Sequence, residues 1–181
     1  MTKDMAKRIG EKVIFKTKLL TIKDVDIEYN SRKVATHQII EKKGSAIIVP
    51  INENNEVLFI REYFDAIDEY QISLPKGAIE EGHDALTTAN KELQEEIGYK
   101  AGRLDELGMV TASPGYYNLK THIFLARDLQ ESKLEGDEEE EFEIIKYPFE
   151  KFEDLIDEGK LTEARIITAL YLARRYLKDQ I

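Results

Sequence analysis

Three glutamates stand close together in the stretch KELQEEIG: Glu92, Glu95 and Glu96. On a helix, at ~100° per residue, they fall within roughly 100° of one another. Like charges at three- and four-residue spacing repel, so a cation belongs among them. Carboxylate oxygens on a rigid element suit Mg²⁺ or Mn²⁺ rather than zinc. Mg²⁺ keeps several waters and takes further ligands from substrate phosphates, so this patch is suited to holding a diphosphate and a nucleophilic water together. The competing reading is a solvated acidic helix face with Lys91 nearby, and spacing alone favours it.

The elements that must position these residues follow from periodicity. After Gly82, the segment DALTTANKELQEEI carries Ala85, Leu86, Ala89, Leu93 and Ile97 at helical spacing, which predicts a buried stripe. Asp84 suits the N-cap and Gly98 the position just past the C-terminus. The first half of the chain is β-like, with β-branched residues throughout 11–29 and a second run, RKVATHQIIE, after an Asn30-Ser31 turn. SAIIVPI and EVLFIREYF predict two strands joined by a tight polar connection, and LDELGMVTAS, KTHIFLARDL and EIIKYPF predict more. Two helices are expected at 151–158 and 163–177, the second with Ile166, Ile167, Leu170, Ala173 and Leu177 on one face. The expectation is a mixed α/β unit with helices packed on a sheet.

Composition narrows the class. A chain of 181 residues, 42% hydrophobic and 34% charged, fits one globular domain with a full core and a small accessory element. Its net charge of −10 argues against general nucleic-acid binding, which depends on basic patches. It has no cysteine, hence no disulfide frame and no thiolate metal site, which makes the cytoplasm the default expectation. No apolar run approaches the ~20 residues of a membrane helix, and the opening MTKDMAKRIGEK lacks a signal-peptide core.

The stretch 74–98 as a whole resembles the Nudix box, written G-x5-E-x7-R-E-U-x-E-E-x-G-U with U a bulky apolar residue. Gly77, Glu92, Leu93, Glu95, Glu96 and Gly98 occupy its positions, Tyr99 stands at the last apolar place, and Leu74-Pro75 precedes it in the family manner. Two positions depart from it: His83 stands for the first glutamate and Lys91 for the arginine. An arginine orients the carboxylates through a fork, whereas a lysine acts only as a point charge. Outside the box, from about residue 16 to 177, the chain resembles the ADP-ribose pyrophosphatase branch, the bacterial hydrolases of ADP compounds in particular. The strand carrying Arg61, the proline Pro114, the pair Tyr116 and Tyr117, and the EGK before the last helix carry that likeness.

The resemblance implies a Nudix fold of the α/β (α+β) class, a mixed sheet sandwiched by helices with an N-terminal antiparallel β extension. It implies an N-terminal β segment over 1–43 and a hydrolase domain over 44–181. The implied activity is divalent-cation-dependent hydrolysis of the diphosphate bond of ADP-ribose or a related ADP compound, with Mg²⁺ (or Mn²⁺) as cofactor. The implied metal ligands are Glu92, Glu95, Glu96 and a backbone carbonyl at Lys76. Catalysis falls to Glu95 and to a loop glutamate, Glu138 or Glu140, as general base or metal ligand. Arg61, Pro114, Tyr116 and Tyr117 are the implied substrate contacts, and a homodimer assembled through the N-terminal strands is the implied assembly. Other readings stay open. They are hydrolysis of a nucleotide sugar such as GDP-mannose or of a dinucleoside polyphosphate, and nucleotide sensing without hydrolysis. Residue by residue, Arg61 could pair with Glu62 or Asp65, Pro114-Gly115 could be only a turn, and the two tyrosines only strand-end aromatics. The acidic run 136–143 reads as solvated loop apart from Glu138 and Glu140, while His37 and His122 read as structural.

Overall fold

The structure, a computed structural model, describes residues 6–136 and 141–180. Runs such as AIIVP, VLFI and IFLA are apolar at every position, which suits strands buried on both faces. Contacts divide the chain into two compact units, one of residues 1–43 with 111–120 and one of 44–110 with 121–181.

The first unit is built on three antiparallel strands, β1 (Lys7–Lys16), β2 (Thr21–Glu28) and β3 (Val34–Glu41), in that order. The connection 111–120 joins it at the end of β3. There Ile40 N–H donates to Tyr116 O at 2.7 Å and Lys42 N–H to Asn118 Oδ1 at 3.0 Å. His37 meets the Tyr29 hydroxyl at 3.0 Å across this sheet, a structural contact as expected.

The second unit holds two sheets. In one, β7 (Lys76–Ala78), β4 (Ser45–Pro50), β9 (Lys120–Glu131) and β8 (Tyr99–Thr111) lie in that order, with β4 antiparallel to β7 and parallel to β9. In the other, β5 (Glu56–Phe64) sits between β10 (Glu143–Pro148) and β6 (Glu69–Ser73), antiparallel to both. The two strands that the sequence joins by a tight connection, β4 and β5, thus belong to different sheets and share only the isolated bridge Ile51–Val57. Asn52 closes the link, its Oδ1 accepting from the N–H groups of Asn54 and Glu56, and Asn55 takes the left-handed conformation that asparagine tolerates.

Alternation along the strands separates two cores. Ala46, Ile48, Leu58, Ile60, Phe124 and Ala126 face α1 (Ala85–Ile97), meeting Ala89, Leu93 and Ile97. Ile47, Val49, Val57, Phe59, Ile123 and Leu125 face the other way, onto α2 (Phe152–Asp157) and α3 (Ala164–Lys178). Each fully buried Val, Leu, Ile or Phe side chain among these contributes about 1.5–3 kcal/mol relative to exposure. One expected member of the stripe is corrected: Leu86 is 49% exposed. It lies on the first turn, where only a shallow groove with Ala101, Gly102 and Leu104 receives it.

The helices on the second face are tied by a fork. Arg174 of α3 donates to Glu153 of α2 at 2.7 and 3.0 Å, Tyr171 Oη donates to the same carboxylate at 2.7 Å, and the guanidinium lies over the rings of Phe152 and Tyr171. The Arg174 and then the Tyr171 hydrogen bonds hold the Glu153 carboxyl at about 2, below its ordinary 4.5. A carboxyl depressed by folding stabilises the fold fully above its ordinary value and loses that contribution as pH falls through its folded value. Glu153→Gln is therefore expected to lower Tm at pH 7, with the gap to the unsubstituted protein closing between pH 4.5 and about pH 2. Melting curves across that range check it, and a gap of constant size down to pH 2 would remove the fork as its source.

Candidate active site

The acidic helix is fixed at both ends by local chemistry. The Asp84 side chain accepts from Thr87 N–H at 2.7 Å, and Gly98 closes the helix in the left-handed conformation (φ 75°). Such a cap is worth about 1 kcal/mol. Both ends stand where the sequence predicts them.

The partner of this helix is β7, and register decides what β7 offers. Ile48 N–H donates to Pro75 O at 2.9 Å and Ile79 N–H to Gly44 O at 2.8 Å, so 48/75 and 44/79 are hydrogen-bonded pairs. Antiparallel pairs alternate, which makes Lys76, opposite Ile47, a non-hydrogen-bonded position. Its N–H and C=O both turn away from β4. The N–H donates to Glu96 Oε2 at 3.0 Å, and the carbonyl lies on the same side of the strand.

Two carboxylates come to this edge. Glu96 is 5% exposed, on the buried side of α1 beside Ala89, because the helical rotation brings it within ~20° of that alanine. Burial pushes the Glu96 carboxyl well above the ordinary carboxylate range; the Lys76 ammonium opposes this and the Glu92 charge adds to it. Glu92 lies against the backbone of Gly77. A Cβ at that glycine would stand 1.9 Å from Glu92 Oε1, so only glycine permits the approach.

The third carboxylate, Glu95, turns to Lys91 at 3.2 Å, one helical turn back. Glu95 raises the lysine's pKa, chiefly through that hydrogen bond. Lys91 thus serves as the point charge that the sequence suggests. Among the described residues no three His, Asp or Glu side chains already converge on one point to hold a metal ion. The oxygen donors brought to this edge are Glu92, against Gly77, Glu96, on the Lys76 N–H, and the Lys76 carbonyl that the register turns the same way. An all-oxygen set around a buried carboxylate fits a hard divalent cation, which would hold Glu96 ionised against its desolvation.

Other candidate residues lie on other elements. Arg61 of β5 lies on the strand face opposite Glu62, since side chains alternate. Its guanidinium sits 4.5 Å from the Tyr70 ring centroid and 3.4 Å from Glu143, rather than on Glu62 or Asp65. Pro114, Tyr116 and Tyr117 belong to the first unit, with the N–H groups of both tyrosines donating to Ser113 O in a turn and Tyr116 exposed. His83 is an exposed turn residue 3.9 Å from Glu80, and His122 meets Glu106 at 2.8 Å. Glu138 and Glu140 lie outside the described residues.

Sequence reasoning missed Glu62 and Ser73. The Lys76 ammonium pairs with Glu62, donates to Ser73 Oγ at 3.1 Å, and lies 5.3 Å from the Phe64 ring centroid. One signal pointed to Glu62: it follows Leu58 and Ile60 on the apolar face of β5, where a charge is out of place.

Glu96→Gln keeps an acceptor for Lys76 N–H while removing the buried charge. In chelator its Tm is expected to equal or exceed that of the unsubstituted protein, because a buried unpaired carboxylate is costly at neutral pH. The rise of Tm on adding a divalent cation should shrink or vanish, and activity should fall by about 100-fold or more. Near-full activity would remove Glu96 from the metal shell.

Comparison with known proteins accords with this geometry. A family described as "NUDIX domain" matches residues 41–170. The chain is 33% identical over 174 residues to the ADP compounds hydrolase NudE of Escherichia coli (strain K12), covering 95% of this chain and 93% of that protein. It is 26% identical over 166 residues to an ADP-ribose pyrophosphatase of Bacillus subtilis (strain 168), covering 91% and 90%. The crystal structure of an ADP compounds hydrolase superposes with a TM-score of 0.91 at 30% identity, covering 99% of this chain and 98% of that one. By the extent of the family match and of these relatives, the chain belongs to the NUDIX family.

Proposed function

We propose that this protein is a divalent-cation-dependent pyrophosphohydrolase that adds water across the diphosphate bond of ADP-ribose or a related ADP compound, releasing AMP and a phosphorylated remainder. The observation that carries the reading is the meeting of Glu92, Glu96 and the Lys76 backbone at the β7–α1 edge, in a chain whose relatives are named for ADP compounds and ADP-ribose. No helix among the described residues is long and apolar enough to cross a membrane.

The roles divide by chemistry. Glu92, Glu96 and the Lys76 carbonyl would hold the cation, their oxygen donors suiting Mg²⁺ or Mn²⁺. Glu95, oriented by Lys91, completes the shell or takes the proton of the attacking water. A loop glutamate, Glu138 or Glu140, shares that task. When bound, the cation polarises the diphosphate and lowers the pKa of its water. Arg61 supplies a guanidinium for a phosphate or ribose oxygen, and Tyr116 and Tyr117 supply rings for a base, with Pro114 shaping their turn.

The reading includes a homodimer. Ile9, Val13, Phe15 and Leu19 of the N-terminal unit are exposed, Leu19 at 76%, and a second copy is the occupant that such a surface suits. Deletion of residues 1–40 is expected to leave an unstable or inactive protein. A well-folded, fully active monomer would overturn the dimer.

The activity is tested with ADP-ribose, a dinucleoside polyphosphate and GDP-mannose, incubated with Mg²⁺ and separated by chromatography. ADP-ribose is expected to give AMP with kcat/KM at least ~10-fold above GDP-mannose, and chelator should abolish it. In the same assay, Gln substitution of one among Glu95, Glu138 and Glu140 should lower kcat with little change in KM. Tight binding of one compound with no turnover of any would replace hydrolysis by sensing.

A further inference from the structure

Lys76 raises a question of charge placement. Its own backbone N–H touches Glu96 Oε2 at 3.0 Å, so its side chain starts beside the most buried carboxylate of the site. An ammonium on a flexible stem would ordinarily settle on such a charge, because Coulomb attraction is strongest where water is excluded. It settles elsewhere. The ammonium pairs with Glu62, lies 3.1 Å from the fully buried Ser73 Oγ, and faces the Phe64 ring. Lys76 and Glu62 are both well shielded, at 15% and 21% side-chain exposure, which makes the pair more than a screened surface contact.

We propose that Glu62 and Ser73 are positioning residues that hold the Lys76 ammonium against β5, off the Glu96 carboxylate, and so keep that carboxylate available to a divalent cation. The inference rests on the metal site of the preceding section. Ammonium and cation compete for the same carboxylate lone pairs, so wherever the ammonium is held decides how strongly the cation binds. Glu62 neutralises the lysine at a point where it does not block. Ser73 Oγ adds a contact that fixes the lysine's direction, and the ring gives the cation a third favourable surface. Glu62 interrupts the apolar face of β5 that Leu58 and Ile60 begin.

The test measures Mn²⁺ affinity without substrate, from the electron paramagnetic resonance of free Mn²⁺, on the full chain. It compares the unsubstituted protein, Glu62→Gln, Lys76→Met and the double variant, each checked by thermal melting. Glu62→Gln should weaken Mn²⁺ binding about tenfold, because the released ammonium moves onto Glu96. Lys76→Met keeps the backbone carbonyl and removes an ammonium that Glu62 holds but Glu96 still feels, so alone it should raise affinity by about 3-fold, whereas in the Glu62→Gln background it should raise it by about tenfold and restore most of the loss. Additive effects would show that only distant charge is felt, and would overturn the positioning role while leaving the metal site intact. Absence of Mn²⁺ binding to the unsubstituted protein would overturn the metal site and this inference together. Ser73→Ala, a small change that the fold should tolerate, gives an independent reading: a weakening of a few-fold supports the holding site, and unchanged affinity overturns it. The same pattern should appear as a loss of the Mn²⁺-induced rise in Tm.

Discussion

The Glu96 carboxylate is held at the seam between β7 and α1, almost out of water, and accepts a hydrogen bond from the Lys76 N–H at 3.0 Å. A charge in that position is costly unless something nearby offsets it, and one neutral hydrogen bond is a small return against desolvation. Much of the local architecture answers to this cost. The register of β7 against β4 frees the Lys76 N–H to reach the helix, and Gly77 lets Glu92 approach the strand closely. This costly carboxylate, kept in place by rigid elements, is the feature on which the proposed cation site rests.

Rigidity comes from the two cores on either side of the strands. Because β4, β5 and β9 are apolar on both faces, α1 cannot shift without exposing Ala89, Leu93 and Ile97. On the far face, α2 and α3 are locked by apolar packing and by the fork between Glu153 and Arg174. The strand edge bearing Lys76 is therefore set within narrow limits, which a cation site with oxygen donors requires. The charges around it are paired in a definite pattern: Lys91 with Glu95, Lys76 with Glu62, and Arg61 with Glu143 on the opposite strand face.

Local signals were read correctly where local physics decides. Asp84 and Gly98 bound α1 because a side-chain acceptor and a left-handed glycine act within one turn. The stripe of Ala89, Leu93 and Ile97 is buried because helical period alone places it. Leu86 shares that period yet stays exposed, since the first turn meets only a shallow groove, and no wheel records where the neighbouring sheet stops. Likewise, Glu96 lies on the wheel between acidic and apolar sectors, and the neighbouring strand decides that it goes inside.

The sequence by itself determined the family, the acidic helix with its caps, and the order of strands and helices apart from the short β6 and β7. These rest on residue type, period and spacing, all short-range properties. Tertiary structure decided the rest. It placed β4 and β5 in separate sheets, turned the Lys76 peptide toward Glu96, sent Arg61 to Tyr70 and Glu143, and gave the Lys76 ammonium to Glu62 and Ser73. Those outcomes depend on which strand pairs with which and in what register. A shift of one residue exchanges the two faces of a strand and redirects every backbone donor, and that choice is made by packing of the whole unit.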